Sequence, residues 1–168
     1  MEPTYEGIVE FFDGYFQDIA KNQGRIETVC KLRDYFAPDF EFVMYTSRTW
    51  APGKALSRDD LLLLFIHPEF HEKLSPNYYV IDVKRVTAVV QFEVEFTDQS
   101  SGTTWPPIQA SAHYHLALDE NKNLKIKKIQ YWTQIFSPDV YGSMYQTWEA
   151  SRQNALVGLA KEYLNVKH

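Results

Sequence analysis

The feature that most limits the folds open to this sequence is a strict alternation of apolar and polar side chains in two segments. In 86–97 the apolar positions are Val90, Phe92, Val94 and Phe96, and in 108–118 they are Ala110, Ala112, Tyr114, Leu116 and Leu118. A repeat of two is the signature of a half-buried β-strand. We therefore expect Phe92, Val94, Tyr114 and Leu116 to be buried on one sheet face, and Glu93, Glu95, His113 and His115 to lie on the other.

Helical patterns come before these strands. Thr4 can cap a first helix, a second helix is predicted over 25–36, and the Ser57–Asp60 spacing favours a capped short helix. Further strands are predicted over 39–45, 78–86 and 124–136, and a last helix over 140–164. Helices followed by a meander are typical of an α+β fold rather than an alternating α/β fold. The prediction is a cone-shaped, curved antiparallel or mixed sheet wrapped on N-terminal helices, in a single domain over 1–168.

Charge and motif content exclude several classes of function. The net charge is −5, and the nearest basic cluster, Lys125, Lys127 and Lys128, is too short for a nucleic-acid interface. No apolar run approaches the length of a membrane span, and the first residues lack the pattern of a signal peptide. A single cysteine, Cys30, fits a reducing compartment and is expected in the core. We expect a cytoplasmic protein that binds neither nucleic acid nor membrane.

Two segments resemble the nuclear-transport-factor-2-like superfamily, including its SnoaL-like, ketosteroid-isomerase-like and scytalone-dehydratase-like members. They are Leu32-Arg33-Asp34-Tyr35-Phe36-Ala37-Pro38-Asp39-Phe40-Glu41-Phe42, and the hairpin from Leu118 to Ile126 followed by Ile129-Gln130-Tyr131-Trp132. The resemblance covers a core of 5–136 and leaves 138–166 as a C-terminal helical extension. It implies a cystatin-like α+β barrel around a pocket, a fold whose members include both enzymes and non-catalytic binders.

The elements converge on an apolar pocket, and we expect it to be lined by Phe12, Tyr15, Phe42, Met44, Phe65, Tyr114 and Trp132. Trp50 is expected on the loop over its mouth. Resemblance to ketosteroid isomerases places Tyr15 near their oxyanion-binding tyrosine, although a core tyrosine is the alternative. In that comparison the position of the general base falls near Met44 or Tyr45, neither of which is a base.

The remaining candidates for proton transfer are histidines. His67 and His71 flank a Pro-Glu-Phe turn near the pocket, and we select His71 because its backbone is the freer of the two. His113 and His115 fit an outer sheet face or a dimer contact better than a site, and their spacing is only weakly indicative of metal binding. The predicted catalytic set is therefore Tyr15, His71 and Tyr114, with no metal and no cofactor.

These residues favour a lyase or isomerase that acts by acid–base chemistry on a hydrophobic cyclic compound. The alternative is a non-catalytic ligand-binding or interaction module of the same fold, which the missing aspartate base would favour. We also expect a homodimer formed through the broad, semi-polar outer sheet face.

Overall fold

The computed structural model describes residues 3–45, 55–134, 139–144, 146–151 and 153–154. Within these residues six strands form one curved sheet: β1 (Phe36–Met44), β2 (Ala55–Leu56), β3 (Phe70–Asp82), β4 (Thr87–Asp98), β5 (Thr104–Leu118) and β6 (Leu124–Thr133). Their spatial order is β2-β1-β6-β5-β4-β3. β1 and β6 run parallel, and the other neighbouring strands are antiparallel. The predicted α+β class with a mixed sheet is confirmed.

Helices cover the inner face of this sheet. In α1 (Tyr5–Asn22) the buried side chains form the expected stripe, and the Thr4 hydroxyl accepts a hydrogen bond from the Gly7 amide at 3.1 Å. α3 (Arg58–Leu64) begins with the predicted capping box between Ser57 and Asp60. Residues 139–144, 146–151 and 153–154 are helical and form α4, the C-terminal helix. None of the described helices is long and apolar enough to cross a membrane.

The second predicted helix is wrong in part. An α-helical turn, α2 (Ile26–Val29), passes into a 3₁₀-helix over Cys30–Tyr35. Because a 3₁₀-helix has 3.0 rather than 3.6 residues per turn, it rotates the following side chains relative to an α-helical pattern. Leu32 stays fully buried, whereas Cys30, expected in the core, is exposed.

The two faces of the central strands follow the alternation in the sequence. Phe92, Val94, Tyr114 and Leu116 are buried beneath the helices. Glu93, Glu95, His113 and His115 lie on the outer face and are partly exposed. This face assignment is confirmed. The apolar face of the sheet packs against α1, α3 and α4.

Candidate functional site

A cavity of about 170 Å³ lies between the inner sheet face and the three covering helices. Its described lining is Tyr15, Phe16, Ile19, Phe42, Met44, Leu61, Leu64, Phe65, Phe70, Glu72, Leu74, Phe92, Phe96, Ile108, Tyr114, Ile129, Tyr131, Thr133, Met144 and Trp148. Half of these side chains are aromatic. An engineered apolar cavity of roughly 150 Å³ binds benzene, so this one has room for a small ring compound.

Glu72 is the one charged side chain among the described residues that line the cavity. It lies on β3, which begins at Phe70, so the alternation places Phe70, Glu72 and Leu74 on the inner face. The Glu72 side chain is only 19% exposed. Burial among apolar groups disfavours the ionised carboxylate and raises the pKa of Glu72 to about 7. At neutral pH the carboxyl is therefore poised between its acid and base forms.

Three phenols, those of Tyr15, Tyr114 and Tyr131, share the cavity with this carboxyl, and the first two are the most deeply buried. Tyr15 on α1 and Tyr114 on β5 are each only 3% exposed, and their ring centres lie 6.2 Å apart. Burial is the main cause that raises the pKa of both phenols, and the charge of Glu72 raises that of Tyr15 further. Both hydroxyls thus remain protonated at neutral pH, and each is available as a hydrogen-bond donor.

Comparison with solved structures identifies the fold. Nuclear transport factor 2 from Cryptosporidium parvum superposes with a TM-score of 0.59 at 13% identity, covering 80% of this chain and 98% of that one. ActVI-ORFA from Streptomyces coelicolor gives 0.57 at 11% identity, covering 77% and 97%. A provisionally assigned SnoaL-like polyketide cyclase from Jannaschia sp. CCS1 gives 0.55 at 13% identity, covering 80% and 91%. The chain has the nuclear-transport-factor-2-like fold.

No protein-family profile matches the sequence, and no curated protein matches it either. The identities to the solved structures are low, so the nuclear-transport-factor-2-like fold is what the comparisons establish.

The structure places five of the predicted pocket residues in the cavity wall: Tyr15, Phe42, Met44, Phe65 and Tyr114. Their roles in binding or catalysis stay predictions. Trp50 lies outside the described residues.

Phe12 is not part of the described cavity wall. It is fully buried one helical turn before Phe16, and its ring lies edge-on against Tyr114 with centres 4.8 Å apart. Phe16 and Tyr79 pack on other sides of the same ring. Phe12 therefore fills the core that supports Tyr114.

Trp132 lies on the face opposite to the predicted one. Leu116 pairs with Ile126 and His115 with Lys128, so Lys127 is an extra residue in β6. A β-bulge of this kind shifts the phase of the alternation. Tyr131 consequently lines the cavity, whereas Trp132 points outward and stacks on Tyr45 with ring centres 5.0 Å apart.

The expected position of His71 is wrong for a related reason. The sequence pattern predicts β3 only from residue 78, but the strand begins at Phe70. His71 then falls between the inward Phe70 and Glu72 and shares the outer face with Lys73, whose ammonium contacts Glu95. Glu72 is the cavity carboxyl that the sequence interpretation missed. Counting inward positions from Phe70 is the signal that would have found it.

No histidine is among the described residues that line the cavity. On the outer face the rings of His113 and His115 lie tilted against each other with centres 4.3 Å apart. Among the described residues, no group of three or more histidine, cysteine, aspartate or glutamate side chains could hold a metal ion. Neighbouring carboxylates already have partners, since Glu93 accepts from Gln109 and Glu95 pairs with Lys73.

Proposed function

We propose that this protein is a cofactor-independent lyase or isomerase that moves a proton on a small, uncharged, hydrophobic ring compound. The observation that carries the proposal is a carboxyl, Glu72, enclosed with the phenol of Tyr15 in one apolar cavity. A general base works best when its pKa lies near the working pH, which is the condition that burial creates for Glu72. One structural neighbour is provisionally assigned as a SnoaL-like polyketide cyclase, which is compatible with small-molecule chemistry on this fold.

The chemistry assigned to these groups is enolisation. The Glu72 carboxylate takes a proton from a carbon next to a carbonyl group, and the carbonyl oxygen gains negative charge. The Tyr15 hydroxyl, with Tyr114 as a second phenol, donates a hydrogen bond to that oxygen. The proton returns from Glu72 to another carbon of the same compound in an isomerisation, or to a leaving hydroxyl in a dehydration. No group from outside the cavity is needed to balance either reaction.

Deuterium exchange tests the proposal without a known substrate. The protein is incubated in D₂O with small cyclic ketones such as 2-indanone and 2-tetralone, and loss of the α-proton signals is followed by NMR. Exchange faster than in protein-free buffer, rising with pH through about 7 as Glu72 ionises, is the expected result. If the ketones bind and exchange stays at the buffer rate, the non-catalytic ligand-binding alternative is favoured.

The single carboxyl also predicts selection by charge. At pH 8, where Glu72 is ionised, indane-2-carboxamide should bind at least about tenfold more tightly than indane-2-carboxylate, because like charges repel strongly away from water. The preference should shrink at pH 6 and be smaller in Glu72→Gln, where only the cost of desolvating the ligand carboxylate remains. Calorimetric titration of both compounds checks this. Equal or tighter binding of the carboxylate at pH 8 would contradict the assigned cavity chemistry.

We also propose a homodimer formed through the outer sheet face. Val80, Val89, His113 and Gln130 lie side by side across four strands, and Val80 and Val89 are 50% and 37% exposed. Beside them the Gln130 amide bridges His115 and the Tyr45 hydroxyl. Two exposed valines with a polar network beside them are suited to pairing with a second copy.

The expected cytoplasmic location stays a prediction.

Lower pH should weaken this dimer. Burial, and then the neighbouring His115, lower the pKa of His113 below its usual 6.5, so the His113 ring is neutral at pH 7.5. Protonation of His113 at acidic pH would place like charges in both halves of the interface. Sedimentation velocity should show a dimer at pH 7.5 and dissociation at 5.5, with a smaller pH effect in His113→Gln. Monomers at both pH values, at micromolar concentration, would count against the dimer.

A further inference from the structure

His67 is a buried titratable group that takes no part in the proposed enolisation. It lies in the turn between α3 and β3 and is completely buried. Its Nδ1 is 2.7 Å from the carbonyl oxygen of Phe70. Because a carbonyl oxygen can only accept, Nδ1 must carry the hydrogen. In the neutral ring the lone pair is then on Nε2.

That Nε2 atom faces the carboxyl in the cavity. It lies 4.0 Å from Glu72 Oε2. Hydrogen bonds hold both residues against the C-terminal end of α1. The Gln23 side-chain amide donates to the backbone oxygen of Glu72, and the His67 backbone amide donates to the Gly24 carbonyl oxygen at 3.1 Å. The Gly24 backbone amide in turn donates to the Phe65 carbonyl oxygen. Gly24 has φ +89°, a backbone conformation that favours glycine at this crossing. The pair is therefore held by backbone contacts from three segments.

The other elements around Glu72 bring few competing charges. α1 presents the Tyr15 phenol, β5 the Tyr114 phenol and β6 the Tyr131 phenol, while α4 presents Met144 and Trp148. On β4 the residue paired with Glu72 is Phe96, while the adjacent Glu95 lies on the outer face with Lys73. Among the described groups, His67 is thus the one next to the Glu72 carboxyl that can become a cation.

We propose that His67 is a positioning residue that sets the charge of Glu72 by accepting its proton at Nε2. The 4.0 Å separation is an ion-pair distance and longer than a hydrogen bond, so the transfer requires a small approach of the two side chains. The Glu72 O–H bond then breaks, an N–H bond forms on His67 Nε2, and a carboxylate faces an imidazolium. No electrons are exchanged and one proton is shared by the pair. The use of this proton in turnover rests on the proposed function, whereas the sharing itself does not.

Direct titration of Glu72 tests the proposal apart from any activity. Protein labelled with ¹³C at glutamate side-chain carboxyls is titrated by NMR, as wild type and as His67→Gln. Loss of the neighbouring cation should raise the Glu72 midpoint by about one pH unit or more. His71→Gln is the matched control, because His71 is one residue before Glu72 but on the outer face, and it should leave the midpoint unchanged. An unchanged midpoint in His67→Gln would overturn the proposal.

A second measurement applies if His67→Gln does not fold. The His67 ring of wild type and Glu72→Gln is followed by ¹⁵N NMR between pH 5 and 9. Removing the carboxylate should make Nε2 harder to protonate and move its midpoint to lower pH. The same His67 titration in both proteins would overturn the proposal. If the titrations show no coupling between His67 and Glu72 but ketone exchange is intact, only the proposal for His67 is rejected. If the coupling is present but ketone exchange is absent, only the proposed function is rejected.

Discussion

Glu72→Gln is expected to lose the catalysed part of ketone deuterium exchange, a fall of about 10²–10⁴-fold for removal of a general base. The amide keeps the size of the side chain but cannot accept the proton. The exchange rate at pH 8, measured by NMR against protein-free buffer, checks the result. Glu95→Gln, on the outer face, is the matched control and should retain the wild-type rate. Exchange at the wild-type rate in Glu72→Gln would remove Glu72 from the mechanism.

The same substitution should change how stability depends on pH. The pKa of Glu72 is about 7 in the folded protein against 4.5 for an ordinary glutamate, so between those values the folded Glu72–His67 pair holds a proton that an unfolded glutamate has lost. The free energy of unfolding therefore falls as pH rises from 4.5 to 7, by an amount approaching about 3 kcal/mol. Urea unfolding at pH 5 and pH 8 should show this contribution in the wild type, and Glu72→Gln should lack it.

Tyr15→Phe is expected to lower ketone exchange by about 10²–10³-fold, the usual effect of losing one oxyanion donor. The ring, which packs edge-on against Tyr35 and Phe36, remains, so the free energy of unfolding should change by no more than about 1 kcal/mol. Exchange kinetics and urea unfolding of the same sample separate the two effects.

Tyr35→Phe supplies the control for that experiment. The Tyr35 hydroxyl donates to Asp18 at 2.7 Å, and Tyr35 does not line the described cavity. This substitution removes a phenol hydroxyl close to Tyr15 but should leave exchange at the wild-type rate. If Tyr15→Phe exchanges as fast as wild type, Tyr15 is a core residue, as the alternative interpretation of the sequence held.

How far the sequence predicts this site depends on whether each strand keeps its phase. β4 and β5 alternate without interruption from Phe92 to Val94 and from Ile108 to Tyr114, and their faces could be predicted. In β6 the extra residue Lys127 exchanges the faces of Tyr131 and Trp132. Nothing local marks that bulge, because it is fixed by pairing with β5. A single such residue is enough to move a predicted pocket residue to the outer surface.

The start of β3 was hidden for a different reason. Charged residues follow Phe70, and Pro76 lies within the strand, so the segment lacks an apolar alternation. Proline is tolerated there because β3 is an edge strand. The cavity itself could be predicted only as a convergence of apolar elements. Whether their side chains meet or leave a space depends on packing, which a sequence pattern does not specify.

The parallel pairing of β1 with β6 has a consequence for the order in which the protein folds during synthesis. Phe36 pairs with Ile126 and Met44 with Tyr131, so β1 leaves the ribosome long before its main partner exists. Hairpins from β3 to β6 close over short loops, whereas β1 must wait for a distant contact. The wall that carries Phe42 and Met44 is therefore expected to dock last. A nascent chain should become able to bind a ligand only after β6 has emerged.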